Sequence, residues 1–104
     1  MKKEDITNFR IQKVMEEESA YDFPIFLRML RRMHGMQRKC VSEDTGIPET
    51  RLFYLENGRF KRRPGIDEIR LLSEYYGVEA NLLDEKAKIF LKSGKAKPQG
   101  QRNG

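Results

Sequence analysis

Four side chains with the right chemistry to read a row of hydrogen-bonding groups stand close together at Glu49, Thr50, Arg51 and Tyr54. Arg51 carries a planar fork of donors that matches the O6/N7 edge of a guanine, and Glu49 can accept from the amino group of a cytosine. These residues belong to the stretch QRKCVSEDTGIPETRLFYLEN, Gln37 to Asn57. Shortly after it comes a second chemical feature, the basic run Arg59-Phe60-Lys61-Arg62-Arg63-Pro64. Either it is a plain surface loop, or Arg62 and Arg63 with their neighbours form a set of phosphate contacts beside the groove being read.

The elements that must hold these groups follow from the same stretch. A helix over Arg38 to Thr45 is expected to turn Val41 and Ser42 inward, and Gly46 to end it in the left-handed backbone conformation. Ile47 follows as a buried plug, and Pro48 sets φ at the start of a second helix whose first turn suits Glu49 and Thr50. Leu52 and Leu55, three apart, make its inward stripe. A small residue at Ser42 lets the two helices cross closely. This is the spacing of a helix-turn-helix with Glu49, Thr50, Arg51 and Tyr54 on the outward face, able to enter a DNA major groove. An ordinary pair of antiparallel helices has much of the same pattern, and the stretch by itself separates the two only weakly.

Charge narrows the choice. The chain has 104 residues and a net charge of +5. Residues 1–22 carry four Lys/Arg and six Asp/Glu, residues 23–64 ten and four, and residues 65–104 seven and six. The excess therefore lies on the helix-turn-helix and its exit loop, where phosphate neutralisation needs it. The length allows one small domain. One cysteine, Cys40, excludes an intrachain disulfide, and a single histidine, His34, leaves no metal constellation. There is no phosphate-binding glycine loop and no nucleophile–base pair, so neither a catalytic site nor a cofactor is expected. No apolar run suits a membrane helix or a signal peptide, so the expected home is a reducing cytoplasm without membrane contact.

The remaining chain divides into three parts. Residues 1–22 form an N-terminal arm, with a short helix from about Asn8 to Glu18; an arm that covers the domain or meets a partner and a partly ordered extension are both open. Asp22 is the expected N-cap of a helix from Phe23 to His34, with Phe23, Leu27 and Leu30 on the core face. Ile25, Phe26, Met29 and Met33 make a second apolar face that needs a cover. Asn57-Gly58 stops the reading helix. Ile66 to Tyr76 gives a fourth helix through Ile66, Ile69, Leu72 and Tyr76, and Asn81 to about Leu91 a fifth through Leu82, Leu83, Ile89 and Phe90. The domain thus spans 23–91, and the tail 92–104, rich in Lys, Gly, Gln and Pro, is expected to be disordered.

Phe23, Leu27, Leu30-Arg31, Gly35-Met36, Val41-Ser42, Gly46-Ile47, Leu52, Leu55-Glu56-Asn57-Gly58, Pro64, Ile69, Leu72, Gly77-Val78 and Leu82-Leu83 together resemble the Cro/C1-type (lambda repressor-like, XRE) helix-turn-helix domain. The Leu-Glu-Asn-Gly ending of the second motif helix is the most specific piece. The resemblance implies an all-α, five-helix domain, usually dimeric, that binds operator DNA and regulates transcription. Position by position, it implies base contacts from Glu49, Thr50, Arg51 and Tyr54, and phosphate-proximal roles for Gln37, Arg38, Asn57, Arg59 and Lys61. It also implies a buried ion pair between Arg31 and Glu56. The chain departs from the family pattern at three positions: Arg38, often Gln; Thr45, usually a larger apolar residue; and Glu49, an acid at the DNA-facing tip.

The function expected is a sequence-specific regulator of double-stranded DNA, a repressor acting as a homodimer on a palindromic operator. The alternative is an antitoxin that binds its own operator and holds a toxin through the N-terminal arm. The fifth helix, Leu82 to Leu91, is the favoured dimer surface, with the N-terminal arm second.

Overall fold

The computed structural model describes residues 21–98, so the expected arm helix and all but the last two residues of the arm 1–22, to which toxin binding was given, lie outside the described residues. Within them are five helices and no strand: α1 (Phe23–Met33), α2 (Arg38–Thr45), α3 (Glu49–Glu56), α4 (Ile66–Tyr76) and α5 (Ala80–Lys92). The architecture is the all-α, five-helix one expected.

Helix α1 begins where Asp22 accepts a hydrogen bond from the Ile25 N–H at 3.2 Å, with Pro24 in the first turn where its missing donor costs nothing. It ends at His34, whose Nδ1 donates to the Leu30 carbonyl at 2.9 Å while its ring lies against Tyr76. Phe23, Phe26, Leu27 and Leu30 are fully buried. Phe26 belongs to the face that needed a cover, and α5 supplies it: the Lys86 ammonium sits 5.0 Å from the Phe26 ring centre. That ammonium also donates to the Tyr21 carbonyl at 2.6 Å, which offsets the cost of burying it.

Val41, Ile47, Leu52 and Leu55 join the same core, as expected; Ser42 is only half-buried. The turn between α2 and α3 is closed by Gly46 at φ +84°, its N–H donating to the Ser42 carbonyl at 2.8 Å. Thr45 explains one departure from the family pattern. Its hydroxyl donates to the Val41 carbonyl at 2.7 Å and accepts from the Ile47 N–H at 3.2 Å, so a polar side chain ties the turn where others fill space.

Helix α4 buries Ile69, Leu72, Ser73 and Tyr76, spaced i, i+3, i+4, i+7, and α5 buries Leu83, Lys86, Ala87 and Phe90 in the same rhythm. Two residues assigned to those stripes do not belong to them. Ile66 is 85% exposed because the first turn of α4 overhangs the core, and Ile89 is 61% exposed because it sits on the face of α5 away from Phe90.

The segment after α5 departs from expectation. Residues 93–98 are not a loose tail but fold back across the end of α3. The Lys97 N–H donates to the Gly58 carbonyl at 2.8 Å, and Ala96 packs on the core. The composition hid this because the anchors are a backbone donor, one methyl group and a proline ring.

Candidate nucleic-acid interface

Two contacts fix the orientation of α3. Leu52 and Leu55 bury its inner face, and the Glu56 carboxylate, 2% exposed, receives Arg31 from α1. Arg31 Nε lies 2.8 Å from Oε2 and Nη2 lies 2.9 Å from Oε1, a side-on fork. Arg31 Nη1 adds a bond to the Met36 carbonyl at 3.1 Å, so the same guanidinium also holds the α1–α2 connection. The hydrogen bonds it donates to Glu56 keep Arg31 still more firmly protonated than a free arginine. The expected Arg31–Glu56 pair is therefore present.

Arg38 is a second partner of Glu56, through Nη1 at 3.2 Å, and its guanidinium lies 5.3 Å from the centre of the Phe53 ring. Given as a phosphate contact, Arg38 is engaged within the chain: the buried carboxylate has room for a second donor, and an arginine reaches it. Phe53 is exposed at the surface between these groups.

The outward face of α3 is part open, part engaged. Glu49 and Thr50 are exposed, and Tyr54 is half-buried with its ring edge-on to Phe53. Arg51, the expected guanine reader, does not project freely. Its Nε lies 2.7 Å from Glu68 Oε2 and its Nη2 3.0 Å from Glu68 Oε1, a fork onto α4. Glu68 is itself placed by the start of α4, where it accepts from the Gly65 N–H at 2.9 Å. The bond from Arg51 holds the Glu68 carboxyl below its ordinary range, against the opposing effect of partial burial. Sequence reasoning did not find Glu68; its signal was an acid in the first turn of α4, the usual mate of a helix N-terminus.

The exit loop begins where Asn57 and Gly58 end α3. Asn57 Nδ2 donates back to the Phe53 carbonyl at 2.8 Å, and Arg59 N–H to Tyr54 at 2.9 Å. Gly58 stands at φ +70°, and a Cβ there would meet the Phe90 ring at 2.8 Å, so conformation and space both demand glycine. Arg59 is half-buried; Gln37, Asn57, Lys61 and Arg62 are exposed. Arg63, grouped with Arg62 as a phosphate contact, donates through Nη2 to both oxygens of Asp84 on α5 at 2.8 Å. The described residues hold no cluster of His, Cys, Asp or Glu that could bind a metal ion, and no helix among them is long and apolar enough to cross a membrane.

A family model for helix-turn-helix domains matches residues 27–83, more than half of the chain. The protein belongs to the Cro/C1-type (XRE) helix-turn-helix family. No curated protein and no solved structure matches it. In this Cro/C1-type chain the matched span begins in α1 and ends in α5, so it contains the whole motif and both partners of the Arg31–Glu56 tie. Membership makes it a DNA-binding transcription regulator of the XRE type.

Proposed function

We propose that the protein is a repressor that binds a palindromic operator as a homodimer, with α3 of each subunit in the major groove. The observation that carries this reading is the open first turn of α3. Glu49 and Thr50 are exposed on a helix whose opposite side is fixed by Leu52, Leu55 and Glu56. A reading helix must be rigid behind and bare in front, since a misplaced base contact loses its geometry.

In this reading Glu49, Thr50, Arg51 and Tyr54 face base edges. Gln37, Asn57, Lys61 and Arg62 face phosphates, with Arg59 beside them. Arg38 and Arg63 reach phosphate only by sharing or leaving Glu56 and Asp84. Glu68 acts on Arg51: by gripping the Nε side of the guanidinium it sets the plane in which the fork meets a base. Dimerisation is assigned to α5, where Ile89 offers an exposed apolar side chain.

Selection of bound sequences from a random duplex pool tests the reading. A repeated motif in two inverted half-sites, spaced about one helical turn or about 34 Å, is expected. A pool that stays random, or a motif without two-fold symmetry, refutes the operator or the dimer respectively.

A further inference from the structure

The C-terminal segment lies outside the 27–83 span that defines the family, yet it is packed against the DNA-facing end of the molecule. Lys97 N–H meets the carbonyl of Gly58, the residue that follows the cap of α3. Pro98 lines one hollow of about 430 Å³ with Arg51, Phe60, Lys61, Arg62 and Arg63. Along this piece exposure alternates: Lys95 and Lys97 are exposed, Ala96 and Pro98 half-buried. An extended chain puts alternate side chains on opposite faces, so Ala96 and Pro98 anchor it while both lysines share the outer face.

The charge pattern points the same way. Residues 65–91 carry three Lys/Arg and six Asp/Glu, whereas residues 92–104 carry four Lys/Arg and no acid. Lys95 and Lys97 of this group lie in the piece that returns to the exit loop, whereas α4 is net acidic, with Arg70 against Asp67, Glu68 and Glu74. Lys97 stands between the Gly58 contact and Pro98, which shares its hollow with Lys61 and Arg62, so the exposed lysines flank the cationic exit loop.

We propose that residues 93–98 form an added DNA-binding strap, in which Lys95 and Lys97 contact backbone phosphates next to those met by the exit loop. The proposal rests on the reading of α3 as a DNA-binding helix. It widens the footprint without adding base preference, because ammonium groups meet phosphates as point charges.

The test compares the full-length protein with the double variant Lys95→Gln, Lys97→Gln on a 20-bp duplex of arbitrary sequence, by fluorescence anisotropy over a series of salt concentrations. The substitutions leave the Lys97 backbone hydrogen bond in place, and circular dichroism verifies the fold. Each phosphate contact contributes about 0.9 to the slope of log affinity against log salt, so the variant is expected to lose about 1.8 of slope, which is roughly 60-fold in affinity between 1 M and 0.1 M salt. Lys95→Arg with Lys97→Arg should restore the slope. An unchanged slope in the glutamine variant, with the parent protein binding normally, overturns the strap alone. A parent protein that binds no duplex overturns both the strap and the DNA-binding reading beneath it.

Discussion

Replacing Glu56 by Gln tests how the reading helix is held. The carboxylate is 2% exposed and takes a fork from Arg31 and a longer bond from Arg38. A glutamine keeps the shape but loses the charge and turns an amide donor toward guanidinium donors. Breaking a buried pair by removing one partner costs about 3–5 kcal/mol. Against a total stability of about 5–15 kcal/mol, that is a large share. At about 4–8 °C per kcal/mol for a domain of this size, the melting temperature should fall by at least about 12 °C. Arg38 is the internal control. It is 31% exposed and contributes one bond of 3.2 Å, so Arg38→Gln should cost no more than about 1 kcal/mol. The combined Arg31→Met, Glu56→Leu variant should recover much of the loss, because apolar pairs often replace buried ion pairs without penalty. Urea unfolding of the four proteins measures all of this. Equal costs for Glu56→Gln and Arg38→Gln, or a cost below about 1 kcal/mol for Glu56→Gln, would refute the view that this pair ties α3 to α1.

Other expectations follow from single contacts. Glu68→Gln removes a charge that both neutralises and orients Arg51; binding to arbitrary duplex should strengthen while the ratio of operator to arbitrary affinity falls, and competition gel shifts measure that ratio. The same pair gives a pH dependence. Glu68 binds protons less readily folded than unfolded, so its stabilisation is present above the ordinary carboxylate range and disappears as pH falls through its depressed value; Glu68→Gln should flatten that part of the acid-unfolding curve. Thr45→Val leaves the Ile47 N–H without its acceptor and should cost about 1 kcal/mol in chemical unfolding. Gly58→Ala places a side chain in a left-handed position against Phe90 and should cost about 1–3 kcal/mol, read by thermal melting.

The helix-turn-helix could be read from residues because its determinants are local. Val41, Gly46, Ile47, Leu52 and Leu55 lie within a short span, and each has a chemical reason for its place. Arg31–Glu56 was visible only through the resemblance, since nothing in the spacing of two charges 25 apart joins them. Arg51–Glu68 had no such guide, and a charged pair 17 residues apart leaves no periodic trace. Ile66 and Ile89 fit an apolar rhythm but miss the core, because hydropathy does not report where a helix outruns its neighbours. The return of residues 93–98 was hidden for the opposite reason: Lys95 and Lys97 dominate the composition, while Ala96 and a backbone N–H make the contact.

The central claim is that the first turn of α3 is what meets DNA. Titrating a selected duplex into 15N-labelled protein and following the backbone amides tests it most directly. The account predicts that the largest shifts fall on residues 49–51 and on the exit loop 58–63, leaving the outer face of α5 little changed. Shifts confined to α5 or α1, with residues 49–51 unmoved, would contradict it.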